Sequence, residues 1–161
     1  MPGKLGRHAA MASLGLLLWL ATGVADAGQA SPRYPPAGCT ILQQDGVVAG
    51  AAKPQPFRVA LGRCGAAWAA WLLGGESGRT VVLDALPRAA LKENESVNLA
   101  GGACAAGKKP ILENIILLAE WRDHASIKAG TGLVRAWLPD TRRKHFVAMP
   151  IANMVCYRDQ P

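Results

Sequence analysis

The chain has 161 residues, with 18 Lys or Arg against 11 Asp or Glu, so its formal net charge at pH 7 is +7. This length predicts one domain with a single core. The basic surplus favours an anionic partner, such as an anionic component of a cell envelope or an acidic protein, and does not indicate which of them.

The first 27 residues have the features of a secretory signal peptide. Lys4 and Arg7 form a positive n-region, and residues 9–24 are mainly apolar. Ala25-Asp26-Ala27 matches the small-x-small cleavage pattern, and no cysteine stands at the cleavage point to carry a lipid. Because the apolar run is short for a membrane span, we predict a periplasmic or secreted protein with no transmembrane anchor after cleavage.

Proline is frequent at the start of the predicted mature chain. Pro32, Pro35 and Pro36 prevent regular secondary structure, so residues 28–38 are predicted to be an extended leader. Residues 39–161 are then expected to form a single β-rich domain.

The four cysteines all lie beyond the predicted leader, at Cys39, Cys64, Cys104 and Cys156. An even number fits two disulfides in an oxidising compartment. Of the three possible connectivities we favour Cys39–Cys64 with Cys104–Cys156, because nearest-neighbour pairing closes the smaller loops. The spacings match neither a structural zinc site nor a Cys-x-x-Cys redox motif.

The first half of the domain contains two predicted strand regions. In residues 57–64, Phe57, Val59 and Leu61 would share one face, which is typical of a half-buried strand. Residues 68–73 and 79–84 flank a glycine-rich segment and predict a hairpin. Because residues 66–73 are rich in alanine, a helix stays open there as the alternative.

Two later segments are harder to assign. Residues 87–93 predict one short helix, since Pro87 suits the first helical position and good helix formers follow it. Residues 111–123 fit either a helix or a strand that is covered on both faces, and we favour the strand.

A hairpin is predicted near the C-terminus. Residues 133–138 and 145–149 are rich in β-branched and aromatic residues, and Pro139 and Asp140 suit the turn between them. Residues 153–157 predict a last strand that Cys156 fastens to the domain. The predicted fold class is therefore mainly β, a small antiparallel sandwich or barrel-like domain with one short helix, stapled by disulfides.

Scattered features of the second half carry a resemblance. They are Gly107-Lys108-Lys109-Pro110, an apolar strand ending in Trp121-Arg122-Asp123, then Val134-Arg135-Ala136-Trp137, Phe146-Val147, Pro150 and Cys156. This pattern resembles the C-terminal half of small exported bacterial proteins of unassigned function. The resemblance implies a β-rich exported domain and supplies no active-site residue.

The sequence contains no recognisable catalytic, metal-binding or nucleotide-binding motif. The glycine-rich segment around Ser77 misses the Gly-x-Ser-x-Gly elbow by one residue. We therefore predict no catalytic residue, no metal ligand and no cofactor. One alternative is an envelope-polymer hydrolase that uses carboxylate and histidine chemistry at Glu120 or His124. Another is a structural accessory of an envelope or secretion complex, which would expose a large apolar patch.

The predicted binding surface follows from the basic turn of the C-terminal hairpin. A cluster of cations cannot be buried, so it must meet solvent or a partner, and Trp137 offers a ring for stacking beside Arg135. The predicted binding residues are Arg135, Trp137, Arg142, Arg143, Lys144 and His145. We expect a non-enzymatic binding or inhibitory protein of the bacterial envelope, with an anionic partner other than nucleic acid. The sequence gives no oligomeric state.

Overall fold

The computed structural model describes residues 34–48, 53, 55–76 and 79–158, so the predicted signal peptide and the first part of the predicted leader lie outside the described residues. Every helix or strand element in these ranges is a β-strand, which confirms the predicted mainly β fold. In chain order the strands are β1 (Cys39–Gly46), β2 (Phe57–Cys64), β3 (Ala67–Glu76), β4 (Arg79–Ala89), β5 (Ser96–Gly101), β6 (Cys104–Ala106), β7 (Lys109–Ile111), β8 (Asn114–Ala119), β9 (Ser126–Ala129), β10 (Gly132–Asp140), β11 (His145–Ala148) and β12 (Met154–Tyr157).

The strands form two sheets. The first sheet is an antiparallel meander in the order β1-β2-β3-β4. The second sheet has the order β5-β8-β10-β9-β12-β6-β7, and β11 pairs with β10 beside this path. Among its described pairs only β9 with β10 is parallel. The two sheets together give the sandwich-like arrangement that the sequence predicts.

The alanine-rich segment for which a helix was the alternative to a strand forms the strand β3. It pairs with β2 on one side and with β4 on the other. Trp68 and Leu72 are buried in one cluster, whereas Trp71 is buried in another on the opposite face. Since both faces are covered, the strand needs no alternation of apolar and polar residues.

The strand favoured for residues 111–123 is confirmed for Asn114–Ala119, which form β8 between β5 and β10, whereas Ile111 ends β7. Ile115, Ile116 and Leu117 are all fully buried. Ile116 belongs to the cluster between the two sheets, and Ile115 and Leu117 belong to a cluster on the other face. This double coverage distinguishes a central strand from an amphipathic helix, which would leave one side polar.

The second sheet curls around a core of its own. The cluster on the outer face of β8 contains Ala100 of β5 and also Ile111 of β7. These two strands stand at opposite ends of the strand order. Because one cluster takes residues from both ends, the sheet must bend towards closure, as the strands of a barrel do.

The short helix predicted at residues 87–93 is wrong. β4 continues as a strand to Ala89, which pairs with Trp68, and the chain then turns at Asn94 with φ of 68°. The Glu95 carboxylate accepts a hydrogen bond from the Lys92 backbone N–H at 2.9 Å and closes this turn. Pairing with β3 overrides the local helix propensity. Pro87 is tolerated because β4 is an edge strand.

Both predicted disulfides are confirmed. Cys39–Cys64 joins β1 to β2, and Cys104–Cys156 joins β6 to β12. Each bond connects residues that lie directly opposite in the strand register. The disulfides therefore fasten strand pairs that the sheet has already aligned.

Polar contacts join the second sheet to both edge strands of the first sheet, β1 and β4. Asn114, which is buried, donates from Nδ2 to the Gly46 carbonyl at 2.6 Å and to Asp45 Oδ2 at 3.0 Å. On β4, the opposite edge strand, the Asp84 carboxylate accepts a hydrogen bond from the Phe146 backbone N–H. These contacts fix how β8 and the hairpin of β10 and β11 sit against the first sheet.

Candidate functional site

The predicted basic turn is the tip of the hairpin formed by β10 and β11. We call residues 141–144 the hairpin tip; they join Asp140 to His145, which are opposite each other in the register. Arg142, Arg143 and Lys144 are all exposed. The structure therefore brings these three predicted residues together on the surface, with His145 half-buried at their base.

Asp140 fixes the conformation of the hairpin tip. Its Oδ1 accepts hydrogen bonds from the backbone N–H groups of Arg142 and Arg143, each at 3.0 Å. The Arg143 backbone bond, the Arg142 backbone bond and the charges of Arg143 and His145 hold the pKa of the Asp140 carboxyl below its ordinary value, against some desolvation. An ionised Asp140 thus holds the cations on a turn that is already formed.

Arg135 and Trp137 lie in a different place from the hairpin tip. Both line a small cavity of about 150 Å³ between the sheets, together with Trp68 and Glu95. The ring centroids of Trp68 and Trp137 are 5.9 Å apart, so half-buried Trp137 contributes to packing. Arg135 is five residues from Asp140 along β10, roughly 17 Å in a strand. The six predicted binding residues therefore form two groups rather than one surface.

A cleft beside β5 contains residues that the sequence analysis did not select for binding. Its volume is about 440 Å³, and we call it the arginine cleft. The side chains that matter for its chemistry are Asn94, Asn98, Trp121, Arg122, Tyr157 and Arg158. This volume is in the range of ordinary ligand pockets.

The two cations of the arginine cleft each lie just after the end of a strand. Trp121-Arg122 follows the end of β8, and Tyr157-Arg158 closes β12. The Arg158 guanidinium carbon lies 5.8 Å from the Trp121 ring centroid, and its Nη2 donates to the Arg122 carbonyl at 3.3 Å. Arg158 is thereby held over an aromatic ring in a cation–π arrangement.

Arg122 is held from a second direction. Its Nη2 lies 3.0 Å from Glu120 Oε2, and its φ of 40° is in the left-handed region that non-glycine residues rarely adopt. This backbone conformation costs about 1 kcal/mol or more. The fold therefore keeps a strained, oriented arginine beside the cleft.

The polar wall of the arginine cleft comes from β5. Ser96 and Asn98 are alternate residues of this strand, so they share one face. Asn98 Nδ2 donates to Ser96 Oγ at 2.9 Å, and Ser96 Oγ donates to the Ala119 carbonyl at 3.3 Å. The wall thus presents oriented amide and hydroxyl groups.

Glu120 and His124, the residues of the hydrolase alternative, line one cavity of about 220 Å³ with Arg122. Glu120 is the only carboxylate among the described residues lining that cavity, and its Oε2 is engaged by Arg122. Within residues 34–158, apart from the positions left undescribed, no group of three His, Cys, Asp or Glu residues is arranged to hold a metal ion.

A sequence signal for the arginine cleft does exist. Trp121-Arg122 and Tyr157-Arg158 are both aromatic–arginine pairs at the ends of predicted strands. Local patterns did not show that the two pairs meet, because the curling of the second sheet brings them together.

Comparisons of the chain with protein-family models, with curated proteins and with solved structures found no match. The two disulfides indicate an oxidising compartment. In the described part of the chain no helix is both long enough and apolar enough to cross a membrane.

Proposed function

We propose that the chain is an exported, non-enzymatic binding protein of the bacterial envelope, periplasmic or secreted, that recognises an anionic partner through the hairpin tip. The observation that carries the proposal is the exposure of Arg142, Arg143 and Lys144 on a turn that Asp140 holds in place. A turn that is already ordered loses little conformational entropy when a partner binds.

Charge and compartment support the same proposal. The chain is basic overall, so long-range attraction would bring an anionic partner towards it. The signal-peptide pattern and the disulfides fit export to an oxidising space. A lipid headgroup, an acidic glycan and an acidic protein each offer the required negative groups.

The two alternative functions have less support. Hydrolysis of a glycan needs two cooperating carboxyl groups, whereas Glu120 stands beside Arg122 and His124 without a second described acid in their cavity. A structural accessory would need a large apolar surface. The exposed large apolar side chains among the described residues are spread over several elements, namely Leu42, Val48, Leu112, Val134 and Tyr157.

The proposal is tested by charge reversal at the hairpin tip. We would load the oxidised protein and its Arg142→Glu/Arg143→Glu variant on a column of heparin, used as a polyanion probe, and elute with rising salt. The matched control is Lys108→Glu/Lys109→Glu, which changes the net charge equally on exposed residues in the β6–β7 turn and at the start of β7. Parallel binding assays with anionic phosphatidylglycerol vesicles and with neutral phosphatidylcholine vesicles test whether a lipid supplies the negative groups of the partner.

The expected result is a clear loss of retention for the tip variant, with little loss for the control and nearly unchanged thermal stability of both. Contacts of this kind weaken strongly with salt. Equal loss in the two variants would show that net charge alone drives binding, and it would overturn the role of the hairpin tip.

A further inference from the structure

We propose that the arginine cleft is a second binding site, whose ligand is a carboxylate-bearing sugar unit of an acidic saccharide. The site is separate from the hairpin tip, because Leu133 at one end of β10 pairs with Ala119 just before the cleft, whereas Asp140 ends β10 at the tip. Seven residues of strand separate the two sites by roughly 23 Å.

The charge of the arginine cleft selects an anion. The charged residues among the described residues that line it are Arg122 and Arg158, both cationic. No described carboxylate lies within ion-pair distance of Arg158, whereas Arg122 shares one of its nitrogens with Glu120. A guanidinium is a planar fork of donors that fits a carboxylate with two parallel hydrogen bonds.

The neutral groups of the cleft select a sugar rather than a bare anion. Asn94 and Asn98 offer amide donors and acceptors, which suit neighbouring hydroxyl groups. Tyr157 lines the cleft and is 58% exposed, and an aromatic ring is a flat surface that suits the apolar face of a pyranose. An inorganic phosphate would use the arginines and leave the amides and the ring without contacts.

The arrangement is built before any ligand arrives. Arg158 is fixed over Trp121 and bonded to the Arg122 carbonyl, and Arg122 is held by Glu120. The Tyr157 backbone N–H donates to the Ala103 carbonyl at 2.8 Å, which fixes the end of β12 against the cleft wall. Ordered donors lower the entropy that binding would otherwise cost.

The test is isothermal titration calorimetry of the oxidised protein with trigalacturonic acid as the probe. The matched ligand is the trimethyl ester of the same trisaccharide, which keeps the size and the hydroxyl groups and removes the charge. We expect the ester to bind at least about tenfold more weakly than the acid, since a hydrogen bond to a charged group raises the affinity by about that factor or more. Equal affinity for the two ligands would overturn the inference, as would absence of binding of the acid.

Variants locate the site. Arg122→Gln and Arg158→Gln are each expected to weaken binding of the acid about tenfold, whereas Arg88→Gln, at an exposed position on β4 outside the cleft, is expected to leave it unchanged. Arg158→Lys keeps the positive charge but lacks the planar fork of donors, so we expect it to bind the acid with an affinity between those of the natural protein and Arg158→Gln. This variant shows whether the loss in Arg158→Gln comes from the missing charge rather than from misfolding. Equal losses in Arg88→Gln would overturn the location.

Two further measurements separate a sugar site from a simple anion site. Asn98→Ala is expected to weaken binding of trigalacturonic acid several-fold, because Asn98 would contact a sugar hydroxyl. Inorganic phosphate is expected to compete poorly. Phosphate that displaces the trisaccharide at equal concentration, or an Asn98→Ala variant with unchanged affinity, would overturn the assignment of the ligand as a sugar. Neither outcome bears on the hairpin tip, whose residues are not involved.

Discussion

The Asp84 carboxylate on β4 accepts a hydrogen bond from the Phe146 backbone N–H on β11 at 2.7 Å. This contact crosses from the first sheet to the second, and it satisfies a donor on a strand whose other side pairs with β10. Phe146 itself is buried in the cluster between the sheets. In addition to the pairing of β10 with β8 and β9, the hairpin that carries the basic tip is therefore fastened to the first sheet by this polar contact and by the buried Phe146 side chain.

Asp84→Ala should lower the free energy of unfolding by about 1–3 kcal/mol, because a partly buried backbone donor loses a charged acceptor. Asp84→Asn keeps an acceptor oxygen and should lose about half as much or less. Urea unfolding of the three proteins checks this order. If Asp84→Ala were as stable as the natural protein, the contact would not hold the hairpin.

Asp140 should make the stability of the hairpin depend on acid. Its folded-state pKa lies below the ordinary value of 3.8, so the ionised form is favoured in the native state. The stabilisation is then fully present above that value and is lost as the pH falls through the lower folded pKa. Thermal melting of the natural protein and of Asp140→Asn should differ at pH 7 and converge well below pH 3.8. A constant difference at every pH would contradict an electrostatic role.

The two disulfides should contribute unequally. On the chain-entropy model the 52-residue separation of Cys104 and Cys156 is worth about 4 kcal/mol, and the 25-residue separation of Cys39 and Cys64 about 3.5 kcal/mol. Cys104 and Cys156 are also buried, so replacing them with alanine leaves a defect in the core. Denaturant unfolding of the two double-alanine variants should find the protein without Cys104–Cys156 the less stable. The reverse order would contradict this reasoning.

Gly132 should not accept a side chain. Its φ is 95°, and a Cβ atom there would collide with the Glu120 carbonyl oxygen and lie 2.8 Å from Ile127 Cγ2. Gly132→Ala should cost more than about 1 kcal/mol of stability. Gly75→Ala is the control, since a Cβ at that exposed strand position meets nothing within 4 Å, and it should change stability by less than about 0.5 kcal/mol. Equal melting temperatures for the two variants would contradict the expected strain.

Local pattern predicted most of the strands, and the preference for smaller loops predicted both disulfides. The alternation of Phe57, Val59 and Leu61 and the basic turn after Asp140 each depend on neighbours in sequence, so they are visible without a structure. The short helix at residues 87–93 failed because β4 gains its hydrogen bonds from β3, a partner that local propensity does not include.

The arginine cleft depends on contacts that are distant in sequence. Asn98, Arg122 and Arg158 come from the strand β5, from the end of β8 and from the end of β12. They meet because the second sheet curls around its own core, and that curl is set by packing of strands from both ends of the order. Each residue alone has the pattern of an ordinary solvated side chain.

The most direct measurement for the proposed function is affinity capture from a bacterial envelope extract, using the immobilised oxidised protein beside its Arg142→Glu/Arg143→Glu variant. Bound material is eluted with rising salt. We expect the natural protein to retain an anionic component that is released as salt increases, and the variant to retain much less of it. Retention of the same component by both proteins, with the same salt dependence, would contradict recognition through the hairpin tip.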